Sequence, residues 1–81
     1  MNYKNKQFLE LIAEALEVKK NNINDKSSID NVEKWDSHAH LNLILALERK
    51  FKISFDDEEV VTLLNIKLIK LALEKHNIYI I

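Results

Sequence analysis

Apolar residues return every three or four positions through much of this chain, and where that rhythm lapses the sequence turns to Asn, Asp, Ser and Lys. From about Lys4 to Lys20, Phe8, Leu9, Ile12, Ala13 and Leu16 recur at helical spacing while Glu10, Glu14, Glu17 and the lysines fall elsewhere, which predicts a first amphipathic helix. Lys19 and Lys20 suit the negative end of that helix, and Asn21-Asn22 is its expected stop, because asparagine tolerates the left-handed conformation. A long polar connection follows over residues 21–36, in which the isolated Ile23, Ile29, Val32 and Trp35 are expected to pin the chain to the helices. The helical pattern resumes from about Ser37 to Lys50 and ends at Phe51. Within it Leu41 to Leu47 is apolar around more of the circumference than one packing contact requires, so this helix is either central or presents part of itself to a partner. Asp56 and Glu59 have capping-box spacing ahead of Val60, Leu63 and Leu64, which predicts a short third helix. Asn65 is a good N-cap for a fourth, running through Ile66, Ile69 and Leu73 to about His76.

The order helix, long loop, helix, short helix, helix predicts an all-α protein, an irregular four-helix bundle with three longer helices and one short one. Residues 1–81 are expected to form a single domain, since the chain is too short to divide sensibly. Ile53 to Phe55 and Ile78 to Ile81 have strand-like content, but two isolated segments make a poor sheet. The first is expected to be a linker and the second a tail packed on the bundle.

Composition narrows the function classes. The chain has no cysteine, which removes disulfides, thiolate metal sites and thiol nucleophiles together. A net charge of −1 gives no global field to draw in nucleic acid or an anionic membrane, so neither is an expected partner. The start of the chain lacks the uninterrupted apolar region of a signal peptide and no run approaches a membrane span, so a cytoplasmic location is expected. With neither glycine nor proline present, Asn, Asp and Ser must supply the turns and helix stops.

The stretch Trp35-Asp36-Ser37-His38-Ala39-His40-Leu41-Asn42-Leu43-Ile44-Leu45-Ala46-Leu47-Glu48-Arg49-Lys50-Phe51 resembles the phosphopantetheine-attachment region of acyl carrier proteins. The family pattern is Asp-Ser-Leu at a helix start, then alternating apolar residues and an Ala-Leu-Glu segment running into Phe-Gly-Ile. Ile53, Phe55, Glu58-Glu59 and Leu63-Leu64 fit it downstream, so with the helix order the resemblance covers nearly the whole chain. It implies a non-enzymatic carrier in which Ser37 bears a 4′-phosphopantetheine arm taken from coenzyme A and Asp36 supports the transfer. It further implies that His38, Leu41 and Leu45, which share one helix face, dock partner enzymes, while Leu43, Ile44, Leu47 and Phe51 are core. The implied partners are a phosphopantetheinyl transferase and the ligases, acyltransferases or synthases that load and use an acyl or aminoacyl thioester. A monomer is expected.

A helix start is a sound place for such a serine. Free backbone N–H groups and the positive end of the helix dipole favour an anion by about 0.3–1 kcal/mol when exposed. Three departures qualify the resemblance. His38 stands where the family usually has leucine. Lys52 stands where it usually has glycine, and would cost on the order of 1 kcal/mol if the left-handed conformation is kept. The second helix also lacks the usual acidity, the acidic cluster lying instead at Asp56 to Glu59, where helix stabilisation is an equal explanation. The departures at His38 and in the charge pattern favour a dedicated biosynthetic pathway over the housekeeping fatty-acid carrier.

Other readings of the same residues are weaker. His38 and His40 are two apart on a helix and do not face each other, so no metal site is expected and both are read as solvated. Asp36, Ser37 and His40 suggest a hydrolase triad, but no glycine-rich elbow or oxyanion donor set accompanies them. Trp35 is read as a loop anchor with its indole N–H near water. The alternative from another class is an unmodified helical interaction module in which Leu41 and Leu45 bind a partner and Ser37 only caps.

Overall fold

A computed structural model describes residues Met1–Ile81 and is mostly helical. Helix α1 spans Asn5–Leu16, α2 Ser37–Phe51, α3 Asp57–Thr62 and α4 Ile66–Lys75, with a single 3-10 turn at Lys20–Asn22. The core is one cluster to which α1 contributes Phe8, Ile12, Ala13 and Leu16, α2 contributes Leu43, Ile44, Leu47 and Phe51, and α4 contributes Ile66, Ile69, Ala72 and Leu73. These are the apolar stripes of the sequence turned inward.

The N-termini of α3 and α4 follow the capping chemistry expected. The Asp56 side chain accepts from the Glu59 N–H at 2.8 Å while Glu59 accepts from the Asp56 N–H at 3.1 Å, a complete capping box. Asn65 caps α4 by accepting from the Leu68 N–H at 2.8 Å.

The helix ends share one device. Glu17, Lys52 and Asn77 are the residues with positive φ, at 58°, 56° and 65°. Each is followed by a β-branched apolar residue whose N–H reaches back five residues: Val18 to the Ala13 carbonyl, Ile53 to that of Glu48 and Ile78 to that of Leu73. Val18 and Ile53 are partly buried against the core and Ile78 is fully buried. This is the Schellman arrangement, built without glycine. It corrects the expected end of the first helix, which stops at Leu16 rather than near Lys20, with Glu17 in place of Asn21-Asn22 as the left-handed residue. Burying Val18 offsets the conformational cost at Glu17. Lys52 likewise keeps the left-handed conformation, with Ile53 packed after it, and glycine would adopt that conformation without the Cβ penalty, so Lys52→Gly is expected to stabilise the fold by about 1 kcal/mol. A rise in the urea midpoint with an unchanged slope would register this.

The long connection is pinned as expected. Ile23 and Trp35 are in the core, with Ile29 and Val32 packed against it. Between these anchors Asn and Ser side chains form the turns: Asn24 accepts from Lys26 N–H at 2.8 Å, Ser28 from Asp30 N–H at 3.2 Å and Asn31 from Ser28 N–H at 2.9 Å. Its middle is tied to the α3–α4 junction by Ile29 N–H to the Leu64 carbonyl at 2.9 Å and Ile66 N–H to the Ser27 carbonyl at 3.1 Å. Asp25 reaches Lys70 on α4 at 2.8 Å. The hydrogen bond from Lys70 holds the Asp25 carboxyl below the usual carboxylate range, against a smaller opposing effect of burial. A lowered folded-state value contributes stability above the ordinary carboxylate range, and that contribution is lost as pH falls through the folded value. Because the Asp25 side chain is 63% exposed, solvent reduces the effect to a few tenths of a kcal/mol, on the order of other surface pairs. Lys70→Met is therefore expected to raise the Asp25 midpoint in a carboxyl NMR titration while barely changing stability.

The C-terminal segment departs from the sequence expectation. Tyr79–Ile80 is not a plain tail: it pairs in parallel with Asn2–Tyr3, in register Asn2 with Tyr79 and Tyr3 with Ile80. Strand β1 is Asn2–Tyr3 and β2 is Tyr79–Ile80. The ladder extends to Asn5 N–H, which donates to the Ile81 carbonyl at 2.7 Å. The chain is thus not strictly all-α. Ile53 to Phe55, in contrast, is the linker expected, held to α2 by Phe55 N–H donating to Glu48 Oε2 at 2.8 Å.

Candidate functional site at the start of helix α2

The segment leading into α2 is fixed from both sides. Trp35 is almost wholly buried, and its backbone N–H donates to the Val32 carbonyl at 2.9 Å. Asp36 follows in extended conformation and its Oδ1 accepts from the Ala39 N–H at 2.8 Å. Asp36 is the N-cap, so the capping bond falls to the aspartate and the Ser37 hydroxyl stands outside it. Ser37 is the first residue of a fifteen-residue helix and is exposed. The Ser37 and His38 N–H groups precede the first possible intrahelical bond, so they add donors to the positive end of the helix.

His40 corrects the sequence reading. It is buried rather than solvated, and it closes a relay across three segments. Trp35 Nε1–H donates to His40 Nδ1 at 3.0 Å, and His40 Nε2 lies 2.8 Å from the Val60 carbonyl on α3. An indole nitrogen can only donate, so Nδ1 must accept; a carbonyl can only accept, so Nε2 must carry the hydrogen. The neutral Nε2–H tautomer is the one that satisfies both. The two ring planes lie within 23° of parallel, with centroids 6.2 Å apart. The Trp35 indole therefore faces His40 and not water.

A signal for this was present. His40, Leu43, Ile44, Leu47 and Phe51 recur at helical spacing, and all five are buried. His40 lies on the inward stripe, whereas His38 lies on the outward one. The hydrolase-like grouping does not assemble, because both His40 nitrogens are engaged away from Ser37 and Asp36 is turned to its own helix. His38 is exposed and His40 buried, so the two histidines do not converge either.

The outward face carries His38, Leu41 and Leu45. All are exposed, Leu41 by 56% and Leu45 by 52%, which is high for leucine on a helix whose other large apolar side chains are in the core. The charge on α2 is modest: Glu48 is turned to the Phe55 N–H, and Lys50 lies over the Tyr3 ring at 5.7 Å from its centroid. In the acidic cluster Asp56 and Glu59 are occupied by the capping box, while Asp57 and Glu58 are exposed. A shallow cleft of about 210 Å³ beside the site is lined by Glu17, Lys34, Asp36, His38 and Asn42 among others. No helix is long and apolar enough to cross a membrane.

No protein-family model matches the chain, and no curated protein matches it.

Proposed function

We propose that this chain is an acyl carrier protein of the irregular four-helix type, with Ser37 the attachment point of a 4′-phosphopantetheine arm. The observation that carries the reading is the setting of Ser37: exposed, at the first position of α2, with Asp36 taking the capping bond in its place. In the transfer, the Ser37 hydroxyl forms the new O–P bond and loses its proton, the pyrophosphate bond of coenzyme A breaks, and adenosine 3′,5′-bisphosphate leaves. Ser37 and His38 N–H groups and the helix dipole favour the resulting phosphodiester. Asp36 uses Oδ1 for the cap, which leaves its second oxygen available to the magnesium ion that accompanies coenzyme A on the transferase. The arm supplies the reactive thiol that a chain without cysteine lacks.

Leu41 and Leu45, with His38, form the face on which transferase, ligase, acyltransferase or synthase partners dock. Their exposure also suits an unmodified interaction module, which is the second reading. The modest acidity of α2 favours a dedicated pathway over the housekeeping role, because a basic partner surface would meet a weak field there. The protein works in the cytoplasm as a monomeric, non-enzymatic carrier of one domain, apart from nucleic acid and membrane.

Incubation with coenzyme A, Mg²⁺ and a broad-specificity transferase, followed by intact mass measurement, separates the two readings. One added phosphopantetheine on the wild type and none on Ser37→Ala is expected. An unmodified wild type with several transferases would favour the interaction module.

A further inference from the structure

Helix α3 has no fully buried residue among its six, and Val60 is its one apolar side chain packed, partly buried, against the core. A helix this short does not hold itself together in water, so its position depends on what grips it from outside. Its side-chain hydrogen bonds are otherwise local: the capping box at Asp56 and Glu59, and Thr62 Oγ1 donating to the Glu58 and Glu59 carbonyls. Two bonds reach other helices, and both come from histidines. His40 on α2 grips the Val60 carbonyl at 2.8 Å, and His76 at the end of α4 lies 3.2 Å from Glu59 Oε2. They hold adjacent residues from two different helices. His76 is itself set by edge contact with Phe55, the rings 5.4 Å apart.

We infer that α3 is a strap latched by His40 and His76, and that the Trp35–His40 pair couples its position to the Ser37 turn. Trp35 and His40 bracket Asp36-Ser37, one on each side. If α3 moves off, Nε2–H of His40 loses its part-buried acceptor, the imidazole is free to reorient, and the Nδ1 acceptor that holds the Trp35 indole goes with it. The reverse also holds, because coupling between two sites is reciprocal. A docking enzyme or a group that shifts the first turn of α2 would therefore loosen α3. Residues under weak external restraint are where local opening occurs below the global unfolding free energy. The significance for the Ser37 turn rests on the carrier reading; the coupling itself does not require the arm.

Hydrogen exchange on the unmodified full chain tests this without reference to loading. His76→Leu removes the latch on the half-buried side and leaves Trp35 and His40 untouched. The amides of Val60 and Leu63 are expected to exchange about fivefold to tenfold faster, as for loss of one hydrogen bond, and the Trp35 indole N–H is expected to accelerate with them. Amides in α1, such as Ile12, should keep their rates. Faster exchange in α3 with an unchanged indole would overturn the coupling. Equal acceleration in α1 would overturn the strap, since the loss would then be global. His40→Phe should release the same amides from the other side; unchanged Val60 and Leu63 rates in that variant would also count against it.

Discussion

Trp35→Ala is expected to remove about 3–5 kcal/mol of stability, the range for truncating a large buried aromatic. Domains of this size have about 0.05–0.15 kcal/mol per residue in total, so the loss is a large fraction of what exists. Three physical terms act together. The side chain is only 1% exposed and is among the largest in the core, so its removal leaves a cavity. It is the last anchor of the long connection before α2, so residues 21–36 gain freedom at the end that positions Asp36-Ser37. It also donates to His40, whose Nδ1 would be left buried without a donor. Chemical denaturation monitored by circular dichroism measures the loss directly, and Trp35→Phe isolates the last term. Phenylalanine retains much of the volume but not the N–H, so that variant should lose about 1–3 kcal/mol.

The second large effect is at His40. His40→Leu fits the apolar surroundings but strands two groups, the Trp35 N–H and the Val60 carbonyl. The buried Trp35 N–H costs about 1–3 kcal/mol when unpaired and the part-buried Val60 carbonyl less, offset in part by the added apolar burial, so a net loss of about 1–3 kcal/mol is expected. The combination is more informative than either change alone. In Trp35→Phe with His40→Leu, neither side of the indole–imidazole bond remains to be left unsatisfied. The double variant should therefore be more stable than the sum of the singles implies, by about 1 kcal/mol or more. Strict additivity would mean that the 3.0 Å contact contributes nothing of its own.

Much of this architecture can be read from periodicity and capping chemistry. The inward residues of α2, the Asp56 capping box, the Asn65 cap and the apolar anchors of the connection all follow from local rules and occur where those rules put them. The features that could not be read locally depend on partners distant in sequence. Asn21-Asn22 is the better helix stop by propensity, but the chain stops at Glu17 because Val18 can then pack on the core. The terminal ladder has two residues in each strand, too few for a local strand signal, and exists because the two chain ends meet. His40 is instructive in a different way. Its position in the inward stripe was visible, yet a histidine there counts as core only if both nitrogens find partners, and one partner is a backbone carbonyl twenty residues away. The candidate site itself is more local: Asp36 and Ser37 occupy the cap and first position of α2, as the Asp-Ser pair before an apolar run implies.

The two faces of α2 divide its work. Its inner stripe, with His40 included, builds the core and holds α3; its outer stripe leaves Leu41 and Leu45 in water beside Ser37. Apolar area maintained next to an exposed serine carries no benefit for the isolated fold. Under the proposed carrier reading, it is the surface on which partner proteins would dock in turn.

Peptide mapping of the loaded protein tests the carrier account most directly. Trypsin cuts after Lys34 and Arg49, and the peptide Trp35 to Arg49 contains one hydroxyl residue, Ser37. After incubation with coenzyme A, Mg²⁺ and transferase, that peptide is expected to carry a single phosphopantetheine. Its recovery unmodified, with the added mass absent or found on Ser27, Ser28 or Ser54, would contradict the account.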